Sequence, residues 1–165
     1  MKALWIDTGP LLELTYHELD KQRAGASRRL EPLVKLLTTK AQLARFEDRL
    51  RQEGFGQLRF SSGSLVELHN RVRKPLAPNP DKLDLLSKFW KALERIGAST
   101  GRRVTCVPLD RDLMDAVALP QFGPVDAHLL GEIRSDKESW LFTSDGPLKG
   151  LVADQCRGRV LDVVF

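Results

Sequence analysis

Apolar positions along the chain follow two rhythms. Short runs at Leu4–Ile6, Leu58–Ser61, Val104–Leu109, Trp140–Thr143 and Val160–Phe165 have the length and residue types of strands. Between them the spacing changes to three and four. Leu43, Phe46 and Leu50 share one face of a helix that Gly54 is suited to stop. After the stretch APNPDK, Leu83, Leu86, Trp90 and Leu93 repeat at helical spacing up to Gly97. Asn79 suits the cap of that helix and Pro80 its first turn. Shorter helices are predicted over Leu65–Arg73, Arg111–Leu119 and Val125–Arg134.

Strands that alternate with helices predict an α/β domain, with a mainly parallel sheet covered on both faces. The Pro-rich link Lys74–Pro80 is too short to separate two domains. Residues 1–165 therefore read as one domain, a length that buries most of its apolar side chains.

Composition narrows the class. At 42% hydrophobic and 29% charged residues the chain falls among soluble globular proteins. No window reaches the apolar length of a membrane span, and the start lacks the pattern of a secretory leader. The expected setting is cytoplasmic, away from membranes. Cys106 and Cys156 form no C-x-x-C pair, and the three histidines supply no zinc spacing around them. Cys106, inside VTCVPL, reads as a small buried thiol.

The net charge of +4 mildly favours a polyanionic partner. Its distribution says more. Basic residues cluster at Arg71, Arg73 and Lys74, at Arg102 and Arg103, and at Arg157 and Arg159. Solvated helix faces explain such clusters as readily as nucleic-acid contact does.

Candidate chemistry lies in acids at the ends of elements. Open α/β sheets bind ligands beyond the carboxyl ends of their strands. Asp7 closes the first strand in WIDTGP and Asp145 the fourth in LFTSDGP. Turn and cap chemistry explains either acid singly; finding both at the same relative place is harder to explain that way. Asp126 aligns with the stripe Leu129, Leu130 and Ile133, where a carboxylate is costly without partners. A position near a helix start accounts for it equally well. Glu67 lies across the helix from Leu65, Leu68 and Val72, either as a surface pair with Arg71 or as a site residue following the second strand. Asp110 and Asp112 read as helix-start residues, and His128 as an uncommitted surface or boundary histidine.

If Asp7, Glu67, Asp126 and Asp145 converge, each pair of charges about 4 Å apart repels by roughly 4 kcal/mol at an effective dielectric near 20. Raised pKa values or a bound cation must relieve that. Carboxylate oxygens are hard ligands, so the cation expected is Mg²⁺ or Mn²⁺, suited to phosphodiester chemistry. Thr143, Ser144 and Thr8 supply hydroxyls beside these acids. An aspartyl-phosphate-forming phosphatase needs a second acid two residues after the first, where Gly9 stands. A binding module that does not cleave has no use for four acids that repel phosphate.

The segments WIDTGPLL, SSGSLVEL, GPVDAHLLGEI and LFTSDGPLKGL, in that order, resemble the PIN-domain family of metal-dependent nucleases. The resemblance maps the family's acids onto Asp7, Glu67, Asp126 and Asp145, and its hydroxyl onto Thr143. It implies a three-layer α/β/α sandwich on a five-stranded parallel sheet with the first strand in the middle. It further implies Mg²⁺- or Mn²⁺-dependent cleavage of single-stranded or structured RNA. Many members are toxins of toxin–antitoxin pairs and others process RNA, so an antitoxin protein and a second copy of the chain are the protein partners it suggests. Arg71, Arg73, Lys74, Arg102 and Arg103 are the candidates to hold the RNA backbone. One departure is the segment between Asp7 and Glu67, lengthened by helical material around Arg28–Gly54. It weighs against the toxin assignment more than against the nuclease.

Overall fold

A computed structural model of the chain describes residues 1–22, 33–34, 37, 39–73, 81–116 and 119–161. Four strands, β1 (Ala3–Ile6), β2 (Gln57–Ser61), β3 (Arg103–Val107) and β4 (Ser139–Phe142), form one parallel sheet in the order β3-β2-β1-β4. β1 lies inside the sheet, with Leu4 opposite both Leu58 and Trp140, and all four of its residues are buried. An unbroken apolar run is what a parallel strand covered on both faces requires.

Seven helices surround the sheet among the described residues: α1 (Thr8–Gln22), α2 (Lys40–Gln52), α3 (Ser62–Arg73), α4 (Asp81–Thr100), α5 (Leu119–Phe122), α6 (Pro124–Ser135) and α7 (Gly146–Gln155). The two faces of the sheet build separate cores. Leu4, Ile6, Leu58, Phe60 and Phe142 pack against α1 to α4, where the Phe46 and Phe142 rings stack with centroids 4.8 Å apart. Trp5 and Leu141 point the other way, onto Ala127, Leu130 and Ile133 of α6 and Leu148 and Val152 of α7. The period-two alternation of strand side chains produces this division, and three α/β/α layers result.

Four predicted features need adjusting. Of the expected fifth strand, Val160 makes a single parallel bridge to Leu141, and residues 162–165 lie outside the described residues. The helix predicted to stop at Gly97 continues to Thr100 and ends at Gly101, whose φ of +64° is the left-handed conformation of a helix stop. Gly97 instead allows close packing, since a Cβ there would meet the Arg102 carbonyl oxygen at 3.0 Å. Asn79, Pro80 and the side chains at 83, 86 and 93 lie outside the described residues. The helix predicted over Arg111–Leu119 is a 3₁₀ turn, Arg111–Leu113, followed after a break by the short α5. Met114 is extended there, and the Asp115 N–H donates to Ala127 C=O at 3.0 Å, which pins this stretch to α6. Cys106 is exposed, because β3 is the edge strand.

Candidate metal centre

The chain leaves β1 into α1 on one face of the sheet and leaves β4 into α7 on the other. β1 and β4 are neighbours, so their carboxyl ends flank the place where the connections diverge, where open α/β sheets form ligand crevices. Asp7 and Thr143 are the first residues past these ends, and the Asp7 N–H donates to Phe142 C=O at 3.0 Å.

A hydrogen-bonded thread joins three of the acids. The Thr8 N–H donates to Asp7 Oδ1 at 2.5 Å, and Thr8 Oγ1 donates to Glu67 Oε2 at 2.8 Å. On the other side, Thr143 Oγ1 donates to Asp7 Oδ2 at 2.7 Å and accepts from the Asp145 N–H at 2.9 Å. Thr8 and Thr143 are themselves buried, which fixes both carboxylate oxygens of Asp7. Glu67 reaches the thread because α3 begins directly after β2, beside β1. Asp145 caps α7, with Oδ1 accepting from the Leu148 N–H at 2.7 Å.

Asp126 enters from α6, whose start is set by Gly123 at φ +91° and Pro124 in the first turn. Burial, then Asp7, Glu67 and Asp145 in turn, push its pKa up to about 7, and Arg71 opposes them. Asp7 is raised chiefly by burial, against the hydrogen bonds from Thr143 and Thr8 and the charge of Arg71, with Glu67 adding to the rise. Asp7, Glu67 and Asp145, from three other segments, therefore lie within electrostatic reach of Asp126, and Glu67 within that of Asp7. Asp7 is buried, Asp126 and Glu67 are half-buried, and Asp145 is exposed, so the cluster opens to solvent on one side.

Arg71 belongs to the same neighbourhood, since its Nη1 lies 3.9 Å from where a Gly9 Cβ would stand. Exposed Arg73 follows on α3, and Lys74 lies outside the described residues. Arg102 and Arg103 are not brought to the acids. They stand at the amino end of β3, where Arg102 Nε donates to the Phe55 carbonyl at 2.8 Å and Nη1 to that of Thr100 at 2.5 Å. Asp110 caps the 3₁₀ turn by accepting from the Asp112 N–H. His128, expected near the surface, is fully buried and edge-on to Trp5, with ring centroids 5.9 Å apart.

Among the described residues, no three His, Cys, Asp or Glu side chains are placed to hold a metal ion together as they stand. The chemistry of the donor set nonetheless fits a hard divalent cation: it is all carboxylate oxygen, with Asp7 and Glu67 held by threonine hydroxyls and Arg71 the one cation that acts on both Asp7 and Asp126 among the described residues. No protein-family model, curated protein or solved structure matches the chain.

Proposed function

We propose that the protein is a Mg²⁺- or Mn²⁺-dependent endoribonuclease, working at Asp7, Glu67, Asp126 and Asp145. The observation that carries this reading is the hydrogen-bonded thread through Thr8 and Thr143, which ties Asp7 to Glu67 and to the Asp145 backbone, with Asp126 near enough to feel the charge of all three acids. A divalent ion bound there supplies an activated water and neutralises charge building on the phosphodiester. Asp7, oriented by Thr8 and Thr143, is the anchoring ligand, and Glu67 approaches through the same Thr8 hydroxyl. Asp145 stands at the open side, where solvent and substrate enter. Arg71 offers its guanidinium to a substrate phosphate, a role that exposed Arg73 would extend along α3. As in the resemblance, the protein would be an RNA-processing enzyme or the toxin of a toxin–antitoxin pair.

A second reading is a PIN-like module that binds RNA or a protein without cleaving. The absence of a ready-made three-ligand group among the described residues favours it. Incubation of single-stranded RNA with the purified protein and Mn²⁺ separates the two. The nuclease reading expects internal cleavage that EDTA stops and that folded Asp7→Asn and Asp126→Asn proteins lack. RNA bound tightly and left intact with either metal would establish the binding module instead.

A further inference from the structure

A second charged feature lies at the other end of β4. A pocket of about 270 Å³ opens there, lined by Arg134, Lys137, Gln155, Cys156, Arg157 and Arg159. Arg134 pairs with Asp115. Arg159 Nε donates to the Cys156 carbonyl at 2.9 Å, and its Nη1 donates to those of Asp136 at 2.5 Å and Ser139 at 3.1 Å. These two arginines are held in place and form the walls. Lys137 and Arg157 differ: both are exposed, and neither makes a hydrogen bond or ion pair among the described residues.

Cations near the ends of α6 and α7 have an ordinary explanation, because helix C-termini favour positive charge. Two observations go beyond it. Arg157 has a φ of +56°, in the left-handed region that suits glycine, while Gly158 beside it has +73°. An arginine placed there is strained, and what it adds over glycine is a guanidinium at the pocket rim. Buried Cys156 lines the pocket, and burial pushes its thiol up, so it supplies no thiolate. Charge is the chemistry this pocket offers.

α7 connects the pocket to the acids. Asp145 caps its start and Cys156 its end, with the ten residues of the helix between them, a rise of roughly 16 Å. Between them, Cβ atoms added at Gly146 and Gly150 would meet nothing within 4 Å, so that side of the helix is open.

We propose that the Arg134, Lys137, Arg157 and Arg159 pocket is a phosphate subsite for the RNA strand, one helix length from the acidic centre. The proposal rests on the reading of that centre as RNA-cleaving. A strand held at the acids must continue over the surface, and α7 offers an open path to a pocket whose exposed cations, the Arg157 guanidinium and the Lys137 ammonium, can meet phosphate oxygens.

Binding of fluorescently labelled single-stranded RNA, measured by anisotropy in EDTA, tests it without cleavage. Wild type is compared with Arg157→Gly, Lys137→Ala and the double variant, using oligonucleotides shorter and longer than α7. The double variant is expected to bind the longer RNA roughly three- to tenfold more weakly, with a salt slope smaller by about 1.4. Short oligonucleotides should bind all proteins alike. Arg157→Gly should keep or raise the melting temperature, since glycine relaxes the left-handed position, so weaker binding would not be unfolding. Unchanged affinity and slope would overturn the subsite. So would polyglutamate binding that is lost in the variants while RNA binding stays intact. RNA binding that depends on the pocket, with no cleavage under any metal, would support the subsite and reject the nuclease.

Discussion

At the scale of single residues, two buried threonines organise the acids. Thr143 binds Asp7 through its hydroxyl and positions Asp145 through the same oxygen. Thr143→Val removes both bonds while keeping the side chain's size, and should cost about 10- to 100-fold in metal affinity or in Mn²⁺-dependent cleavage. Calorimetric Mn²⁺ titration of wild type and variant checks it, and equal affinities would remove Thr143 from the site. Asp126 gives a pH prediction. Its folded pKa is raised from 3.8 to about 7, so over that interval the metal-free folded state binds more protons than the unfolded state. Its contribution to stability is complete below the unfolded value and is lost as pH rises towards the folded one. Buried His128 acts in the opposite sense, since burial depresses its pKa and stability is lost as pH falls below 6.5. Urea unfolding in EDTA, with wild type compared against Asp126→Asn, cancels the histidine term. The variant should gain stability relative to wild type as pH rises from about 4 to about 7 and level off above that. A constant difference would mean that Asp126 does not titrate as described.

At the scale of elements, close packing decides what lies beside the site. A Cβ built on Gly131 of α6 would fall 1.5 Å from the Leu113 carbonyl oxygen, so only glycine lets the 3₁₀ turn rest on this helix. Gly131→Ala is expected to destabilise the fold by about 2 kcal/mol or more and to disturb the helix that carries Asp126. Denaturant unfolding measures it, and a wild-type midpoint would show that the turn is free to shift. Legibility in the sequence follows the same physics. Helices with a long apolar stripe, such as Leu43, Phe46 and Leu50, are evident from spacing alone, and so are interior strands such as Leu4–Ile6. Features set by contacts between distant segments are not. Gly97 resembles a stop until its packing against β3 is seen, and Arg111–Leu119 resembles one helix until Ala127 claims the Asp115 N–H. His128 is buried by Trp5 of β1, a neighbour that its own helix does not reveal.

At the scale of the whole molecule, the topology brings Asp7 and Thr143 together, where the connections leaving β1 and β4 diverge to opposite faces of the sheet. Asp7 and Asp145 are recognisable in the sequence because each follows an apolar strand, but the two are not at the same relative place: Ile6 pairs with Phe142, so Thr143 stands level with Asp7 and Asp145 lies two residues further on. Glu67 and Asp126 gain their significance from convergence across four segments. The basic residues are less legible, because sequence proximity does not say which end of the sheet they occupy. Arg71 arrives among the acids, whereas Arg102 is spent on carbonyl groups at the opposite end. The most direct test of the account is Mn²⁺ binding to the RNA-free protein, followed by calorimetry or electron paramagnetic resonance from about pH 5 to about pH 8. The account predicts saturable binding that strengthens as Asp126 deprotonates and is lost in both Asp7→Asn and Asp126→Asn. Mn²⁺ binding that is absent at every pH, or unchanged in both variants, would contradict it.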